Sequence, residues 1–246
     1  MTGPSPNDVV TAALVVIGDE VLSGRTKDKN IGHIADRMTE IGVDLREVRI
    51  VADVEADIVA AVNALRHRYD HVFTTGGIGP THDDITADSV AKAFGRPIAV
   101  DERAVAKLLE IIPRDSLNEA RLRMARLPEG AELIENQVSK APGFSVDNVH
   151  VMAGVPSIMQ AMLAALIPGL RTGAKMASRS LPTTFKEGDI AAPLAALQLA
   201  YPDVSMGSYP TYNEETGPTT TIVLRSRDVA LLQEAEARAR TMLAGL

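Results

Sequence analysis

The sequence contains no cysteine and no tryptophan. Without cysteine the chain has no disulfide, no thiolate nucleophile and no cysteine-ligated metal. Aromatic residues make up 3% of a chain that is 46% hydrophobic, so the core must be aliphatic, which favours helices packed on a sheet. No apolar run approaches the roughly 18 residues of a membrane span, and the amino terminus lacks the basic and apolar regions of a signal peptide. We therefore expect a cytoplasmic protein that makes no membrane contact.

Basic residues are also in short supply. The chain has 25 Lys and Arg against 32 Asp and Glu, a net charge of -7, which repels a phosphate backbone. General nucleic-acid binding is therefore not expected. A length of 246 residues allows one large α/β domain, or a medium domain with a small one.

Strands and helices are predicted to alternate in the first part of the chain. A wholly apolar run at 12–17 predicts a buried strand, and helical spacing from Asn30 to Gly42 predicts a helix that Asn30 caps. A strand at about 44–51, a helix around 58–65 and a strand at 71–74 follow. This order predicts a three-layer, doubly wound, mainly parallel α/β sheet, whose ligands bind at the carboxyl ends of the strands.

The remaining elements are predicted from weaker patterns. We expect helices at about 83–94, 102–111, 115–126 and 158–167, and strands at about 132–135 and 149–152. A Pro- and Gly-containing stretch at 168–173 predicts a domain boundary, which gives domains at 8–172 and 173–246. The second has the pattern of a small β-α-β-β-α unit, whose two adjacent strands are separated by residues 213–217. We expect this unit to serve packing, oligomerisation or as a cleft lid.

The sequence from Thr75 to Pro80 is a candidate phosphate-binding loop. Gly76, Gly77 and Gly79 permit positive φ and let a ligand approach backbone N–H groups, next to the N-terminus of a predicted helix. A strand-to-helix turn whose glycines only relieve crowding remains the alternative.

Two adjacent carboxylates, Asp83 and Asp84, follow this loop. They would repel a phosphate unless a cation lies between, and Mg²⁺ is commonly bound by one or two carboxylates plus substrate phosphates. Alternatively, one aspartate caps the helix; we expect one to cap and the other to face the ligand. Hydroxyls that could assist are those of Thr81, Thr86 and Ser89.

A second polar segment follows the first strand. Asp19 and Glu20 stand where carboxylates are poorly placed for a core and well placed for a cleft, and Ser23, Gly24 and Asn30 extend the segment. A solvated loop is the alternative. The five histidines have no zinc-ligand spacing, and His82, the only one inside a motif, is expected at the rim.

Four motifs occur in order along the chain. They are Gly18-Asp19-Glu20-Val21-Leu22-Ser23-Gly24 with Asn30, Thr74-Thr75-Gly76-Gly77-Ile78-Gly79-Pro80-Thr81-x-Asp83-Asp84-Ile85-Thr86, Ala141-Pro142-Gly143-Phe144, and Gly154-Val155-Pro156-Ser157. Together they resemble the N-terminal part of the CinA (competence/damage-inducible protein A) family, which shares the molybdopterin-binding fold of MogA and MoaB. The resemblance covers about 12–170 and is weaker over the C-terminal unit.

The resemblance implies a site for a nucleotide or pterin phosphate at the strand ends. It also implies metal-dependent pyrophosphatase action on ADP-ribose-like nucleotides, with Mg²⁺, Mn²⁺ or Co²⁺, or alternatively molybdopterin binding as in MogA and MoaB. Carried over by motif, Asp19, Asp83 and Asp84 become catalytic candidates, and with Glu20 they become metal ligands. The ligand-binding candidates are Thr75, Gly76, Gly77, Gly79, Thr81, Thr86, Ser23, Gly24, Asn30, Gly154, Pro156 and Ser157.

The chain departs from this family at several positions. Ile158 stands where a glutamate is usual, Ala153 where a proline is common, and Lys140 adds a cation that could meet a phosphate. The deamidase domain of full-length CinA proteins is not expected in this chain. Three hypotheses follow: a divalent-metal-dependent pyrophosphatase, a pterin-phosphate or cofactor-biosynthesis protein, and a non-catalytic nucleotide sensor or scaffold. A homo-oligomer is expected in each case.

Overall fold

A computed structural model describes residues 8–213 and 217–246 of the chain. The described chain divides into two compact units, Val9–Thr172 and Gly173–Leu246, the second of which includes Asp8. The amino-terminal residues and most of the 213–217 segment considered above lie outside the described residues. Among those described, no helix is both long and apolar enough to cross a bilayer.

The first unit is an α/β sandwich. Its elements in chain order are β1 (Val10–Ile17), α1 (Asp19–Leu22), α2 (Asn30–Ile41), β2 (Val43–Val51), α3 (Glu55–Arg66), β3 (His71–Thr75), α4 (Thr86–Phe94), β4 (Ile98–Val100), α5 (Glu102–Leu108), α6 (Glu119–Arg123), β5 (Arg126–Pro128), β6 (Glu132–Ile134), β7 (Gly143–Val146), β8 (Val149–Met152) and α7 (Pro156–Leu166).

Six of these strands form the central sheet, in the order β2-β1-β3-β8-β7-β6. β2, β1, β3 and β8 are parallel, whereas β7 runs antiparallel to both of its neighbours. The mainly parallel α/β sheet predicted from the sequence is confirmed. Strand order reverses between β1 and β3, so the carboxyl ends of these two strands form the crevice where ligands bind in open sheets.

Both faces of the sheet are covered, which explains why β1 is wholly apolar from Ala12 to Ile17. Ala13, Val15 and Ile17 lie in one buried cluster with residues of α3 and α4. Their neighbours Ala12, Leu14 and Val16 lie in a second cluster, with residues of α2 and α7. Because successive side chains of a strand point to opposite faces, a strand buried on both sides needs an uninterrupted apolar run.

The second unit has the predicted β-α-β-β-α order. Its elements are β9 (Ala177–Thr183), α8 (Glu187–Ala200), β10 (Ser205–Asn213), β11 (Gly217–Ser226) and α9 (Val229–Ala244). The strands form an antiparallel sheet in the order β10-β11-β9. Its core joins Leu181, Ile222 and Leu224 of the sheet to Ile190 and Leu232 of the helices.

Several predicted boundaries are wrong. The helix expected from Asp83 begins only at Thr86, because residues 80–84 close a separate turn. The helix expected at 115–126 is instead a 3₁₀ turn at Arg114–Ser116, the short α6, and the start of β5. β4 and β5 pair antiparallel as a small ribbon that the sequence pattern did not predict. Asn30 does not cap α2, since the carboxylate of Asp28 accepts the N–H groups of Asn30 and Ile31.

Candidate functional site

The glycine loop lies at the reversal point of the sheet, directly after β3. Gly76 has φ of 105°, and a Cβ there would lie 2.1 Å from the carbonyl oxygen of Ile17 in β1. On its other side, a Cβ on Gly154 would lie 3.2 Å from the Cα of Gly76. The loop therefore threads between the ends of β1 and β8 with space only for glycine.

The loop presents several backbone donors. The N–H of Gly76 is used, because it donates to the Met152 carbonyl at 3.1 Å. Within the described parts of the chain, no acceptor lies within hydrogen-bonding distance of the N–H groups of Gly77, Ile78 and Gly79. Three successive N–H groups without a protein acceptor are the donors that an anion needs.

Thr86 holds the loop in this shape. Its buried hydroxyl donates to the Gly76 carbonyl at 3.0 Å, and its N–H donates to the Gly77 carbonyl at 3.0 Å. The hydroxyl that the sequence offered as a ligand donor is thus a support for the loop.

The two adjacent aspartates have different surroundings. The Asp84 carboxylate accepts the N–H of Thr81 at 2.8 Å and the Thr81 hydroxyl at 2.6 Å, so it closes the turn that follows the glycines. Its own carbonyl accepts a bond from the Arg123 guanidinium at 3.1 Å. The side chain of Asp83 is 63% exposed and faces outward. Asp84 is therefore held within the loop, while the Asp83 side chain is exposed beside it and lies 4.0 Å from the His82 ring.

Asp53 brings a further carboxylate to the same edge of the sheet. It follows the end of β2, and its Oδ2 accepts the N–H of Asp19 at 2.9 Å. Burial, together with the negative charges of Glu20, Asp19 and Asp83, raises the pKa of Asp53 above its usual value, although the bond from Asp19 opposes this shift. The four carboxylates therefore form one region of negative potential beside the glycine loop.

A cleft of about 590 Å³ opens at the loop. Glu20 lies on its wall, together with the glycine loop and the first residues of α7. The remaining lining is largely apolar, and includes Met124, Ala141, Val155, Ile158 and Met162. The cleft thus combines backbone groups suited to phosphate with apolar side chains suited to a weakly polar ring.

The predicted ligand-binding residues separate into two groups. Those that line the cleft are Glu20, Gly76, Gly77, Gly79, Asp84, Gly154 and Pro156. Those that lie behind or beside it are Asp19, Ser23, Gly24, Asn30, Thr75, Thr81, Asp83, Thr86 and Ser157. Pro156 is the first residue of α7, so the positive end of that helix faces the cleft.

Two of the residues behind the cleft keep unused polar atoms. Asn30, 4% exposed, donates from Nδ2 to the Gly154 carbonyl at 2.8 Å. Its buried Oδ1 and the buried Thr75 hydroxyl have no hydrogen-bond partner among the described residues. Asn30 therefore ties α2 to the loop after β8, and the two oxygens remain open to water or ligand.

Lys140 does not serve as the expected phosphate ligand. Its ammonium group contacts Gln137 at 2.8 Å and Glu110 at 3.1 Å, and it is absent from the lining of the cleft. The segment that carries it is fixed by Asn136, whose buried side chain bonds the N–H of Val138 and the Ala141 carbonyl.

Sequence reasoning missed Asp53, Arg123 and Asn136. Asp53 had a usable signal, because it follows the predicted strand at 44–51 just as Asp19 follows the first strand, and neighbouring parallel strands end at one edge. Arg123 had none, since it acts on the site through a long-range bond to the Asp84 carbonyl. Asn136 acts locally, on Val138 and Ala141, and no motif marked it in the sequence.

The acidic residues suit a cation that a substrate helps to bind. Within the described ranges, no group of three or more His, Asp or Glu side chains converges as a ready metal cage. Mg²⁺, however, takes only one or two carboxylates and completes its shell with water and phosphate oxygens. Asp19, Glu20, Asp53 and Asp83 offer such oxygen donors, and burial, with the negative charges of the other three, raises the pKa of Asp53.

Two family models match the chain. The first, described as a probable molybdopterin-binding domain, matches residues 2–172. The second, described as the middle domain of FAD synthase, matches residues 175–245.

Individual relatives agree with these matches. A protein of Pyrococcus horikoshii is 37% identical over 169 residues, which cover 63% of this chain and 66% of that protein. A CinA-like protein of Geobacter metallireducens is 34% identical over 251 residues, which cover 95% of this chain and 60% of that protein. The chain thus spans less than two thirds of either relative. The crystal structure of CinA from Thermoplasma acidophilum, a protein of unknown function, superposes with a TM-score of 0.62 at 33% identity and covers 67% of this chain and 99% of that one.

Proposed function

We propose that this chain, which belongs to the family of probable molybdopterin-binding domains and is CinA-like, hydrolyses the diphosphate of ADP-ribose-like nucleotides with the help of a divalent cation. The observation that carries the proposal is that anion-binding N–H groups and a group of carboxylates lie in one site. The unpaired backbone N–H groups of the glycine loop can bind a phosphate. The carboxylates around Asp53 would repel that phosphate unless a cation is bound as well.

The chain's residues divide the work along the cleft. The N–H groups of Gly77, Ile78 and Gly79, with the positive end of α7, would hold one phosphate of the substrate. Asp83, with one of Asp19, Glu20 and Asp53, would hold the cation, which would lower the pKa of a bound water and offset charge on the diphosphate. The apolar wall around Ile158 and Met162 would accept the adenine ring.

The reaction consumes one water. An oxygen–phosphorus bond forms between that water and one phosphorus of the diphosphate, and the bridging P–O bond breaks, so that ADP-ribose gives AMP and ribose 5-phosphate. A carboxylate of the acidic group would take the proton from the water, which is the role that general base catalysis assigns to a group within hydrogen-bonding reach.

A second candidate function is supported by the apolar lining of the cleft. A pterin is also a flat ring that can carry phosphate, so the same lining accepts a molybdopterin-like ligand without hydrolysis. Cofactor handling and nucleotide hydrolysis differ in turnover, because only hydrolysis releases AMP from ADP-ribose.

The test is release of AMP from ADP-ribose by the purified chain with Mg²⁺, Mn²⁺ or Co²⁺, with and without excess EDTA. We expect metal-dependent turnover, and an Asp83→Asn variant reduced by about 100-fold, the scale of removing a group that orients a metal site. An Asp36→Asn variant, changed on the exposed face of α2, serves as the matched control and should keep full turnover.

Three results would contradict the proposal. These are no turnover with any of the cations, turnover that EDTA leaves unchanged, and turnover that survives in Asp83→Asn. Binding of a pterin phosphate without cleavage of ADP-ribose would favour the second function.

A further inference from the structure

The edge strand β2 has an open side. β2 pairs with β1, and within the described residues its other edge pairs with no strand. Edge strands expose unpaired N–H and C=O groups that can pair with another chain unless a bulge, a charge or a proline protects them. The pairing of β1 with β2 shifts by one residue between Ala12 and Ala13, so Arg46 is an extra residue of β2 without a partner in β1. From Glu47 to Val51 the pairing with β1 is regular.

The regular stretch is unusually apolar for an exposed edge. Val48 is 38% exposed and Ile50 is 40% exposed, and both are β-branched residues that pack well across strands. They lie two positions apart, so they point to the same side of the sheet.

The charges of this stretch are self-complementary in one register. When two copies of a strand pair antiparallel about a twofold axis, the axis passes through a residue, because backbone groups alternate along the strand. An axis at Val48 places Glu47 of each copy opposite Arg49 of the other. An axis one residue away would place Glu47 opposite Glu47, or Arg49 opposite Arg49, which destabilises cross-strand pairs.

The existing contacts leave these charges available. Glu47 already contacts Arg49 at 2.8 Å and Arg68 at 3.2 Å, with side chains that remain partly exposed. Pairing two copies therefore brings two such ion pairs side by side with alternating sign. The hydroxyl of Tyr69 donates to Glu47 at 2.7 Å, which fixes the carboxylate in place beforehand.

We propose that β2 is an interface for a second copy of this chain, in which two β2 strands pair antiparallel about Val48 and join two sheets into one. This inference is independent of the reaction at the glycine loop.

The test compares charge variants of the full chain by sedimentation velocity over a range of concentrations. We expect the unaltered chain to dimerise. Glu47→Arg alone, or Arg49→Glu alone, replaces two favourable pairs by two like-charge pairs and should weaken dimerisation by about tenfold or more. The Glu47→Arg/Arg49→Glu double variant restores opposite charges and should recover the dimer.

The double variant also guards against an effect on folding. It lacks the native contacts of Glu47 with Arg68 and Tyr69, as the Glu47→Arg single variant does, so recovery of the dimer cannot come from those contacts. Val48→Lys should weaken dimerisation as well, whereas Val100→Lys, at a position 43% exposed in β4, should not. Thermal unfolding of each variant confirms that it is folded.

Two outcomes overturn the proposal. One is an unaltered chain that stays monomeric at every concentration. The other is a dimer that Val48→Lys and both single charge variants leave intact, which would place the interface elsewhere.

Discussion

At the scale of single residues, Asp53 is the side chain that changes the interpretation of the site most. Its carboxylate accepts a bond from Asp19 and lies in the field of three other carboxylates, which, together with burial, raises its pKa. A raised pKa in an acid means that the folded state disfavours its ionised form. Asp53 therefore weakens folding at neutral pH, as groups retained for a functional site commonly do.

Replacing Asp53 by Asn should separate stability from cation binding. The amide oxygen can still accept the Asp19 N–H, while one negative charge is removed from the group. We expect the free energy of unfolding at pH 7 to rise by about 0.2–1 kcal/mol, the scale of a partly exposed charge interaction, and the affinity for Mn²⁺ to fall. Urea unfolding and Mn²⁺ titration measure the two effects, with Asp36→Asn as control. If Asp53→Asn lowers the free energy of unfolding and Asp36→Asn does not, the ionised Asp53 carboxylate stabilises the fold, which contradicts this prediction.

At the scale of elements, the loop between β3 and α4 is determined by what its glycines touch. Gly76 has both a positive φ and a carbonyl in the space of its missing Cβ, whereas Gly95, which ends α4 with φ of 62°, has no atom within 4 Å of that position. The two glycines therefore share a conformational requirement and differ in packing.

This difference gives a matched pair of substitutions. Gly95→Ala should cost about 1 kcal/mol from backbone conformation alone. Gly76→Ala carries the same conformational cost and must also push apart the ends of β1 and β3, so we expect a loss of about 3 kcal/mol or more, together with loss of ligand binding. Chemical unfolding of both variants tests this. Equal losses would show that the loop relaxes away from Ile17.

At the scale of the whole first unit, a buried hydrogen-bond network joins β3, β8 and β7 at the end of the sheet away from the glycine loop. The His71 Nε2 lies 3.0 Å from the Arg171 carbonyl, its Nδ1 lies 3.2 Å from Nε2 of His150, and Nδ1 of His150 lies 2.9 Å from the Ser145 hydroxyl. A carbonyl only accepts, so His71 donates from Nε2, His150 donates to His71, and Ser145 donates to His150. Every ring nitrogen is satisfied when both histidines are neutral.

Acid should therefore weaken this unit. Burial, and secondarily the charge of His71, lowers the pKa of His150 to about 3, and burial also lowers the pKa of His71 despite the nearby carboxylate of Asp70. The unfolded chain binds protons on both histidines below their usual pKa of about 6.5, while the folded chain does not. Stability is thus fully present above about pH 6.5 and is lost as the pH falls from there toward about 3.

The dependence of the unfolding free energy on pH can be measured. We expect a loss of up to about 1.4 kcal/mol per pH unit for each histidine in this range, read from urea unfolding between pH 7.5 and 5. His150→Gln should flatten the slope. His82→Gln, at a side chain that is 99% exposed, should leave it unchanged. A native chain whose stability is constant over this range would contradict the neutral histidine chain.

The sequence by itself determined the features that are local. The apolar run of β1 indicated a strand buried on both faces, the alternation of elements indicated a parallel sheet, and the carboxyl ends of β1 and β3 indicated where a ligand would lie. These follow because side-chain periodicity and chain connectivity are written in consecutive residues.

The tertiary structure decided which polar groups face the cleft. Asp83 and Asp84 are neighbours in sequence, yet Asp84, which Thr81 holds, lines the cleft and Asp83 lies exposed beside it. Asp53 and Asp19 lie 34 positions apart and share a hydrogen bond. The spacing of residues cannot rank such contacts, because they depend on how strands align and loops close. That is also why the glycine loop could be located from sequence, whereas Thr86 and Arg123 were recognised as its supports only in the folded chain.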